Sequence, residues 1–285
     1  MPTPPPPTPP PTTPEPSGER ATGTGAGDRA RRAVVRPPSS RLAEGEVSVG
    51  ERRPVDANLA RRQWEGYVGA LRDAGWDVVE LPPLEHHPDG VFVEDAVFVH
   101  DDLAIVTRPG ADSRRGEIDG IGERFAALGF EVASIEAPAT LDGGDLLDVG
   151  PIVYAGRSAR TDEAGVAQLR ALLAPRGVDV VEVPVSGALH LKSCLTALPD
   201  GTIVGWAPFV DDPSVFPSVR MVPEESGAHV VDLGDGRVLV AASCPRTAAE
   251  YAADGWEVVA VDLSEFEALE GCVTCLSVRL HDGID

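Results

Sequence analysis

The chain has 285 residues, and its 46 acidic residues outnumber its 24 Lys and Arg residues, which gives a formal charge of −22 at pH 7. Hydrophobic residues make up 42% of the chain, enough for a large buried core, and the length allows one large domain or two ordinary ones. The acidity argues against nucleic acid and against anionic membrane surfaces as partners, because both are bound by concentrated Lys and Arg.

The first 32 residues differ from the rest of the chain. They contain mainly Pro, Thr, Gly and charged residues, and ten of the first sixteen are proline. Such a segment cannot bury apolar surface, so we expect a disordered extension over residues 1–32 and a single folded domain over residues 33–285. The start has no apolar stretch typical of a secretory signal, and the four cysteines are too few for a disulfide scaffold. We therefore expect a cytoplasmic protein.

Five short strand-like runs recur along the folded part. In chain order they are WDVVELP, FEVASIEAP, VDVVEVPV, SVRMVPE and WEVVAVDL. Four of them follow a helical pattern that ends near a glycine, which is typical of a helix C-terminus. These glycines are Gly75, Gly129, Gly177 and Gly255. The segment before the fourth run is short and contains Pro213 and Pro217, so a helix is doubtful there.

Each run is followed by a further pair of strand-like runs around a turn, and the turn sequences DD, GP, PDG and GDG predict hairpins. The last unit ends after one strand, and AVVR at residues 33–36 could supply its partner and close a ring. The pattern predicts an α/β fold: a five-bladed α/β propeller with fivefold pseudo-symmetry of strand–hairpin–helix units. A doubly wound parallel sheet is the competing fold, but it predicts single strands between helices.

Polar residues recur where the hairpins begin. They are Glu94 and Asp95, Asp142, His190 and finally Cys275. If the units radiate from an axis, these residues converge there and provide a cysteine–histidine–carboxylate site. Taken singly, the cysteine and the histidine could be ordinary core residues. Two acids inside the apolar run VFVEDAVFV are harder to explain structurally, because a buried charge is costly unless a cation pairs with it.

Cys272 and Cys275 form a C-x-x-C pair. A zinc site would need a second ligand pair, and Cys194 and Cys244 stand alone. A thioredoxin-like pair would begin a helix, whereas these cysteines open a strand-like run. Along a strand, positions three apart face opposite sides, so we expect only one of the two thiols to point into the site.

Two arginines occupy matching places in neighbouring units, Arg114 in TRPGADSRRGE and Arg160 in GRSART. They could be solvated residues at helix starts, or they could together bind a carboxylate. In the second case the ligand is cationic at one end and carries a carboxylate at the other, which describes arginine or a derivative.

The motifs GVFVEDAVF, TRPGADSRRGE, TLDGGD, SART, LHLKS and GCVTCLS, in this order, resemble the dimethylarginine dimethylaminohydrolase family. That family belongs to the guanidine-modifying superfamily of five-bladed α/β propellers (penteins). The resemblance runs from about Ala33 to Leu280.

The resemblance implies hydrolysis of asymmetric dimethylarginine or monomethylarginine to citrulline through a covalent S-alkylthiouronium intermediate, with no metal and no organic cofactor. It implies that Cys275 is the nucleophile, His190 the general acid and base, and Asp142 the partner of that histidine or a guanidinium-binding acid. The implied substrate-binding residues are Asp89, Glu94, Asp95, Arg114, Arg160, Val47 and Leu269. We also expect the nearby acids to raise the pKa of the free Cys275 thiol.

Three alternatives stay open at this point. Another guanidine hydrolase, such as an arginine deiminase, would release ammonia from arginine. A non-catalytic protein on the same fold would bind arginine derivatives without converting them. A structural protein would make the recurring polar positions accidental. The sequence also leaves open whether the chain forms a homodimer.

Overall fold

The computed structural model describes residues 31–280, and within them fifteen strands form five separate three-stranded sheets. The strands are β1 Arg32–Val35, β2 Asp77–Glu80, β3 Val97–His100, β4 Leu103–Val106, β5 Glu131–Ser134, β6 Leu146–Val149, β7 Ile152–Arg157, β8 Asp179–Pro184, β9 Leu195–Ala197, β10 Ile203–Gly205, β11 Arg220–Met221, β12 Val231–Gly234, β13 Arg237–Ala241, β14 Glu257–Val261 and β15 Ser277–Leu280. The helices are α1 Ala57–Asp73, α2 Ile121–Ala127, α3 Glu163–Leu173, α4 Pro245–Ala253 and α5 Ser264–Glu267.

All five sheets share one plan. An antiparallel hairpin supplies two strands, and a third strand pairs in parallel with the middle one, as β5 does with β4. A parallel neighbour requires a crossover connection, and α1 to α4 supply it in four units. The five predicted hairpin-and-strand units are therefore confirmed, and the sheets form a five-bladed α/β propeller with fivefold pseudo-symmetry.

The ring closes where the two ends of the domain meet. Strand β1 pairs antiparallel with β15, with Val34 opposite Val278, and parallel with β2. This confirms the predicted closure by AVVR. Strand β1 begins at Arg32, one residue before the expected domain start. The rest of the expected extension, up to residue 30, lies outside the described residues.

The helix boundaries follow local chemistry. The side chain of Asp56 accepts hydrogen bonds from the backbone N–H groups of Asn58 and Leu59 and so caps the start of α1. Gly75, just after this helix, has a φ of +87°, the left-handed conformation that glycine adopts most readily. The prolines before β11 leave only short 3₁₀ turns in the fourth unit, as the sequence indicated. Within residues 31–280 no helix is long and apolar enough to cross a membrane.

The turns that precede the hairpins meet at the centre of the ring. The 3₁₀ turn Val93–Ala96 contacts the turn Gly143–Asp145, which in turn contacts the turn Leu191–Ser193. Strand β15 packs against the first of these turns. The propeller thus collects short segments from distant parts of the chain at one place.

One expectation about the last unit is wrong. Cys272 and Cys275 do not lie on a strand, because residues 273–276 form a turn and β15 begins only at Ser277. The backbone N–H of Cys275 donates to the carbonyl oxygen of Cys272 at 3.2 Å and closes that turn. The alternation of a strand therefore does not apply, and the two sulfurs lie 3.3 Å apart. Of the two, only Cys275 lines the cavity beside His190, as expected.

Candidate functional site

Three buried side chains from three different units form the centre of the site. The Nε2–H of His190 donates to Oδ2 of Asp142 at 3.0 Å, and the histidine Nδ1 lies 3.8 Å from Oδ1 of Asp95. Asp142 also accepts the backbone N–H of Gly110 at 2.8 Å. None of the three side chains is more than 4% exposed. The histidine is thereby held between two carboxylates.

Two glycines allow this close approach. A Cβ on Gly143 would lie 2.0 Å from the carbonyl oxygen of Glu94, so a larger residue would push the two turns apart. A Cβ on Gly144 would lie 2.6 Å from both Oδ1 of Asp95 and Nδ1 of His190. The backbone N–H of Gly144 instead donates to Asp95 at 3.0 Å. The packing of the site thus requires glycine at both positions of the GG pair in TLDGGD.

The carboxylates hold His190 in its charged form. Burial lowers the pKa of this imidazole, but Asp95, Asp142 and Asp145 outweigh that effect and raise the pKa to about 9. In turn, burial opposes ionisation of Asp95, yet His190, Arg114 and Lys192 keep the pKa of that carboxyl below its ordinary value. At neutral pH the site therefore contains an imidazolium that can donate a proton.

Asp145 binds the backbone next to His190. Its carboxylate accepts hydrogen bonds from the hydroxyls of Ser158 and Thr161, each at 2.6 Å, and from the backbone N–H of Leu191 at 3.0 Å. Burial raises the pKa of Asp145 to about 6, although His190 and the two hydroxyls act in the opposite direction. This carboxylate fixes the backbone that follows His190.

Cys275 faces a small cavity of about 20 Å³ beside this cluster. The cavity is lined by Glu46, Asp89, Phe92, Asp95, Arg114, Arg160, Leu189, His190, Leu269, Glu270, Gly271 and Cys275. A hydrogen bond with Cys272, then burial, then the charges of Cys272, Glu94 and Asp95 raise the pKa of the Cys275 thiol well above its ordinary value. The direction agrees with the sequence-based expectation, but Cys272 is a larger cause than either acid.

Arg114 is a buried residue that holds one of the acids. Its Nη1 donates to Asp95 at 2.7 Å, its Nε and Nη2 donate to Glu117 at 3.0 and 2.7 Å, and Nη2 also reaches the carbonyl oxygen of Asp89 at 3.3 Å. Arg114 therefore lines the cavity while its guanidinium is bound to acids of the protein itself.

Arg160 has a different environment. Its Nη2 donates to Glu46 and to the hydroxyl of Ser48, each at 2.8 Å. Its Nη1 is buried, has no hydrogen-bond partner among the described residues, and lies 4.0 Å from Oδ2 of Asp142. A buried donor without a partner is costly, and a carboxylate of a ligand would satisfy it.

A loop over residues 45–53 covers the cavity. Both oxygens of Asp89 accept the backbone N–H of Glu46, at 3.1 and 3.0 Å. Farther along, the backbone N–H groups of Ser48, Val49 and Gly50 donate to the Glu270 carboxylate at 2.8, 2.6 and 2.6 Å. These contacts hold the loop closed over a space that fits about one water molecule.

Val47 and Leu269, two of the expected substrate-binding residues, line different cavities. Leu269 lines the small cavity, whereas Val47 lines a neighbouring cavity of about 490 Å³. The two cavities share Leu189, Glu270 and Gly271, so they adjoin each other.

Glu94 points away from the small cavity. Its carboxylate pairs with Nζ of Lys192 at 2.7 Å and accepts the hydroxyl of Thr274 at 2.8 Å. Its backbone N–H donates to the carbonyl oxygen of Cys275 at 3.3 Å. Glu94 thus ties the turn that carries Cys275 to the turn that follows His190, and its part in substrate binding stays a prediction.

Asp95, Asp142 and His190 bring donor atoms within 4.8 Å of one another, close enough to hold a metal ion. A metal ion would have to displace the proton of this imidazole, and the raised pKa makes that displacement costly. The absence of a metal from the reaction stays a prediction.

Several residues of the site escaped the sequence reasoning. Glu117 could have been found, because RRGE places it three residues after Arg114. His229 had a signal too, since it precedes the fourth hairpin as His190 precedes the third. The sequence carried no such signal for Glu46 and Lys192, because their contacts join segments more than 90 residues apart.

Known proteins are similar to this chain in sequence and fold. The family model described as N,N dimethylarginine dimethylhydrolase, eukaryotic, matches residues 42–234. An N(G),N(G)-dimethylarginine dimethylaminohydrolase of Streptomyces coelicolor is 56% identical over 256 residues, which cover 90% of this chain and 99% of that protein. A solved structure of the dimethylarginine dimethylaminohydrolase of Pseudomonas aeruginosa, a mutant complexed with citrulline, is also similar. It has a TM-score of 0.82 at 35% identity, and the match covers 87% of this chain and 98% of that one. The N-terminal domain of ArgZ, a cyanobacterial arginine dihydrolase, has a TM-score of 0.79 at 20% identity over 89% of this chain and 98% of that one, which shows the fold alone.

Proposed function

Because this chain belongs to the dimethylarginine dimethylaminohydrolase family, we propose that it hydrolyses Nω-methylated arginines to citrulline and a methylated amine. The observation that carries the proposal is the buried set of Cys275, His190 and Asp95 around one cavity. This reaction needs a carboxylate, a thiol and an imidazolium, and these three residues supply them at one cavity.

The cavity suits a ligand with a charged group at each end. Asp95 pairs with the guanidinium, and the unpartnered Nη1 of Arg160 takes the carboxylate of the amino acid. Asp89, which lines the same cavity, takes the α-amino group. Arg114 contributes by holding Asp95 in position. Because the closed cavity has room for only about one water molecule, the loop that carries Glu46 opens before the substrate enters.

The first chemical step is attack by the Cys275 sulfur on the guanidinium carbon. This carbon is a poor electrophile because its charge is delocalised over three nitrogens, and orientation by fixed acids lowers the barrier. The incoming cation also offsets the repulsion that the acids exert on a thiolate, so substrate binding favours ionisation of Cys275.

His190 supplies the proton for the second step. As an imidazolium bound to Asp142, it protonates the departing methylated amine, and the carbon–nitrogen bond breaks to leave an S-alkylthiouronium on Cys275. The neutral imidazole then removes a proton from water, which attacks the same carbon, and citrulline leaves as the thiol is restored. We propose that no metal or organic cofactor takes part, since side chains of this chain perform each step. Its four free thiols support a reducing compartment such as the cytoplasm.

Parallel assays with asymmetric dimethylarginine, monomethylarginine and arginine test this proposal. We expect citrulline together with dimethylamine or methylamine from the methylated substrates, little turnover of arginine, and none by the Cys275→Ser variant. Release of ammonia from arginine at the higher rate would instead assign a deiminase activity. Binding of all three without citrulline would leave only a binding protein.

A further inference from the structure

Cys272 and Cys275 lie in van der Waals contact at the edge of the site. Their sulfur atoms are 3.3 Å apart, and the backbone N–H of Cys272 donates to the sulfur of Cys275 at 3.4 Å. A disulfide requires sulfurs about 2.05 Å apart, so the two sulfurs must approach each other by about 1.2 Å more. The two residues lie three apart in a turn that is closed by the hydrogen bond from the backbone N–H of Cys275 to the carbonyl oxygen of Cys272, so a disulfide between them closes a short ring.

The other two cysteines lie in surroundings that keep a thiol protonated. The thiols of Cys194 and Cys244 donate to the carbonyl oxygens of His190 and Ala241, and burial raises the pKa of each to about 12. Cys272 differs, since a hydrogen bond from Cys275 and the charge of His229 lower its pKa well below the ordinary value, although burial opposes them. The adjacent pair therefore loses a proton more readily than either isolated cysteine.

A small oxidant can reach this pair. Cys275 lines the cavity beneath the loop, so an oxidant as small as hydrogen peroxide reaches its sulfur when the loop opens. The opposite pKa shifts of the two thiols place the first thiolate of the pair at Cys272, which accepts the proton of Cys275 across the 3.3 Å contact. Transfer of that proton to Cys272 leaves the thiolate at Cys275, the sulfur that lines the cavity. Reactivity then depends on the contact between the two sulfurs and not on either cysteine alone.

We propose that Cys272 is a resolving cysteine, which converts an oxidised Cys275 into a reversible Cys272–Cys275 disulfide. The Cys275 thiolate attacks hydrogen peroxide, an S–O bond forms, the O–O bond breaks, and hydroxide leaves. The Cys272 thiol then attacks the sulfenic sulfur, the S–S bond forms, the S–O bond breaks, and water leaves. In total two thiols are oxidised, one peroxide is reduced, and two water molecules are produced.

The disulfide has two consequences for the enzyme. It removes the sulfur that attacks the guanidinium carbon, so hydrolysis stops. It also protects Cys275 from the sulfinic and sulfonic acids, which thiols do not reduce. The inference rests on the proposed function only where activity is measured, because the disulfide forms whether or not Cys275 is a nucleophile toward arginine derivatives.

The test compares the wild type with Cys272→Ser and with the matched control Cys244→Ser after treatment with hydrogen peroxide and then with dithiothreitol. Trypsin releases residues 247–279 as one peptide that holds both cysteines of the pair and no other. We expect this peptide to lose two hydrogen atoms in the wild type and in Cys244→Ser, and to gain two or three oxygen atoms in Cys272→Ser. After dithiothreitol, the wild type should regain about ten times more of its lost activity than Cys272→Ser, because a sulfinic acid is not reduced.

Oxygen addition to the wild-type peptide without loss of hydrogen would overturn the proposal, as would equal reactivation of Cys272→Ser. Cys272→Ala provides a second variant if the serine destabilises the turn, and the melting temperature of each variant shows whether it is folded. If no protein releases citrulline, the proposed function fails, while the peptide mass still decides whether the disulfide forms.

Discussion

Gly144 lies against the two side chains on which the chemistry depends. A methyl group at this position would lie 2.6 Å from Asp95 and from His190, well inside van der Waals contact. The site has no room to yield, because His190 is itself held by Asp142 at 3.0 Å. Local packing at a single residue therefore controls the distance between acid and imidazole.

We predict that Gly144→Ala lowers kcat for dimethylarginine by about a hundred-fold, since a misplacement of roughly 1 Å costs that much. The control is Gly66→Ala on the exposed face of α1, where a Cβ meets nothing within 4 Å. This second variant should keep full activity and gain about 0.5–1 kcal/mol in the free energy of unfolding. Steady-state kinetics and thermal melts of both proteins measure the effect, and wild-type kcat in folded Gly144→Ala would refute it.

At the scale of elements, the loop over residues 45–53 and the segment after α5 act together. Glu270 receives three consecutive backbone N–H groups of the loop, and its φ of +62° turns the chain toward them. Hydrogen bonds to a charged group contribute about 1.5–3 kcal/mol when shielded and less when solvent reaches them. Three of the hydrogen bonds that hold the loop therefore depend on one carboxylate, that of Glu270.

We predict that Glu270→Gln accelerates amide hydrogen exchange at residues 48–50 by about ten-fold, because a neutral acceptor weakens the closed state by roughly 1.4 kcal/mol. Glu267→Gln is the matched control, since Glu267 lines the same cavity but accepts the hydroxyl of Ser226 instead. Exchange measured by mass spectrometry should change little in that control. Equal acceleration in both variants would mean that Glu270 does not hold the loop.

The sequence predicted the elements that follow from local pattern. Alternating apolar runs, glycines after helices and turn dipeptides were enough for the five units and for the closure by β1. The turn at residues 273–276 was missed, because a short run before a strand carries no signal that separates turn from strand. The contacts of Glu46 with Arg160 and of Lys192 with Glu94 depend on the assembled ring, so no local pattern could reveal them.

For the whole molecule, the electrostatic cost of collecting several acids at the axis is met by buried cations. Of these cations, the imidazolium of His190 titrates nearest to neutral pH, and its pKa rises from 6.5 to about 9 on folding. A raised histidine pKa stabilises the fold fully below pH 6.5, and the contribution is lost as the pH rises through about 9. Stability should therefore decline on the alkaline side of neutrality.

We predict that the free energy of unfolding falls by about 3 kcal/mol between about pH 6 and about pH 9.5 through this group, since each pKa unit corresponds to 1.36 kcal/mol. His190→Gln removes the titration, so its decline over the same range should be smaller by that amount. Urea unfolding of both proteins at several pH values measures the difference. Parallel curves for the two proteins would show that His190 does not titrate in this range.

The most direct test of the whole account is to look for the covalent intermediate. The enzyme is mixed with excess asymmetric dimethylarginine, quenched in acid during turnover, and digested for peptide mass analysis. We predict an adduct with the mass of the S-alkylthiouronium on Cys275, carried by the peptide over residues 247–279, and no adduct in Cys275→Ser. Citrulline release with an adduct on another residue, or undiminished citrulline release by Cys275→Ser, would contradict the assignment of Cys275 as the nucleophile.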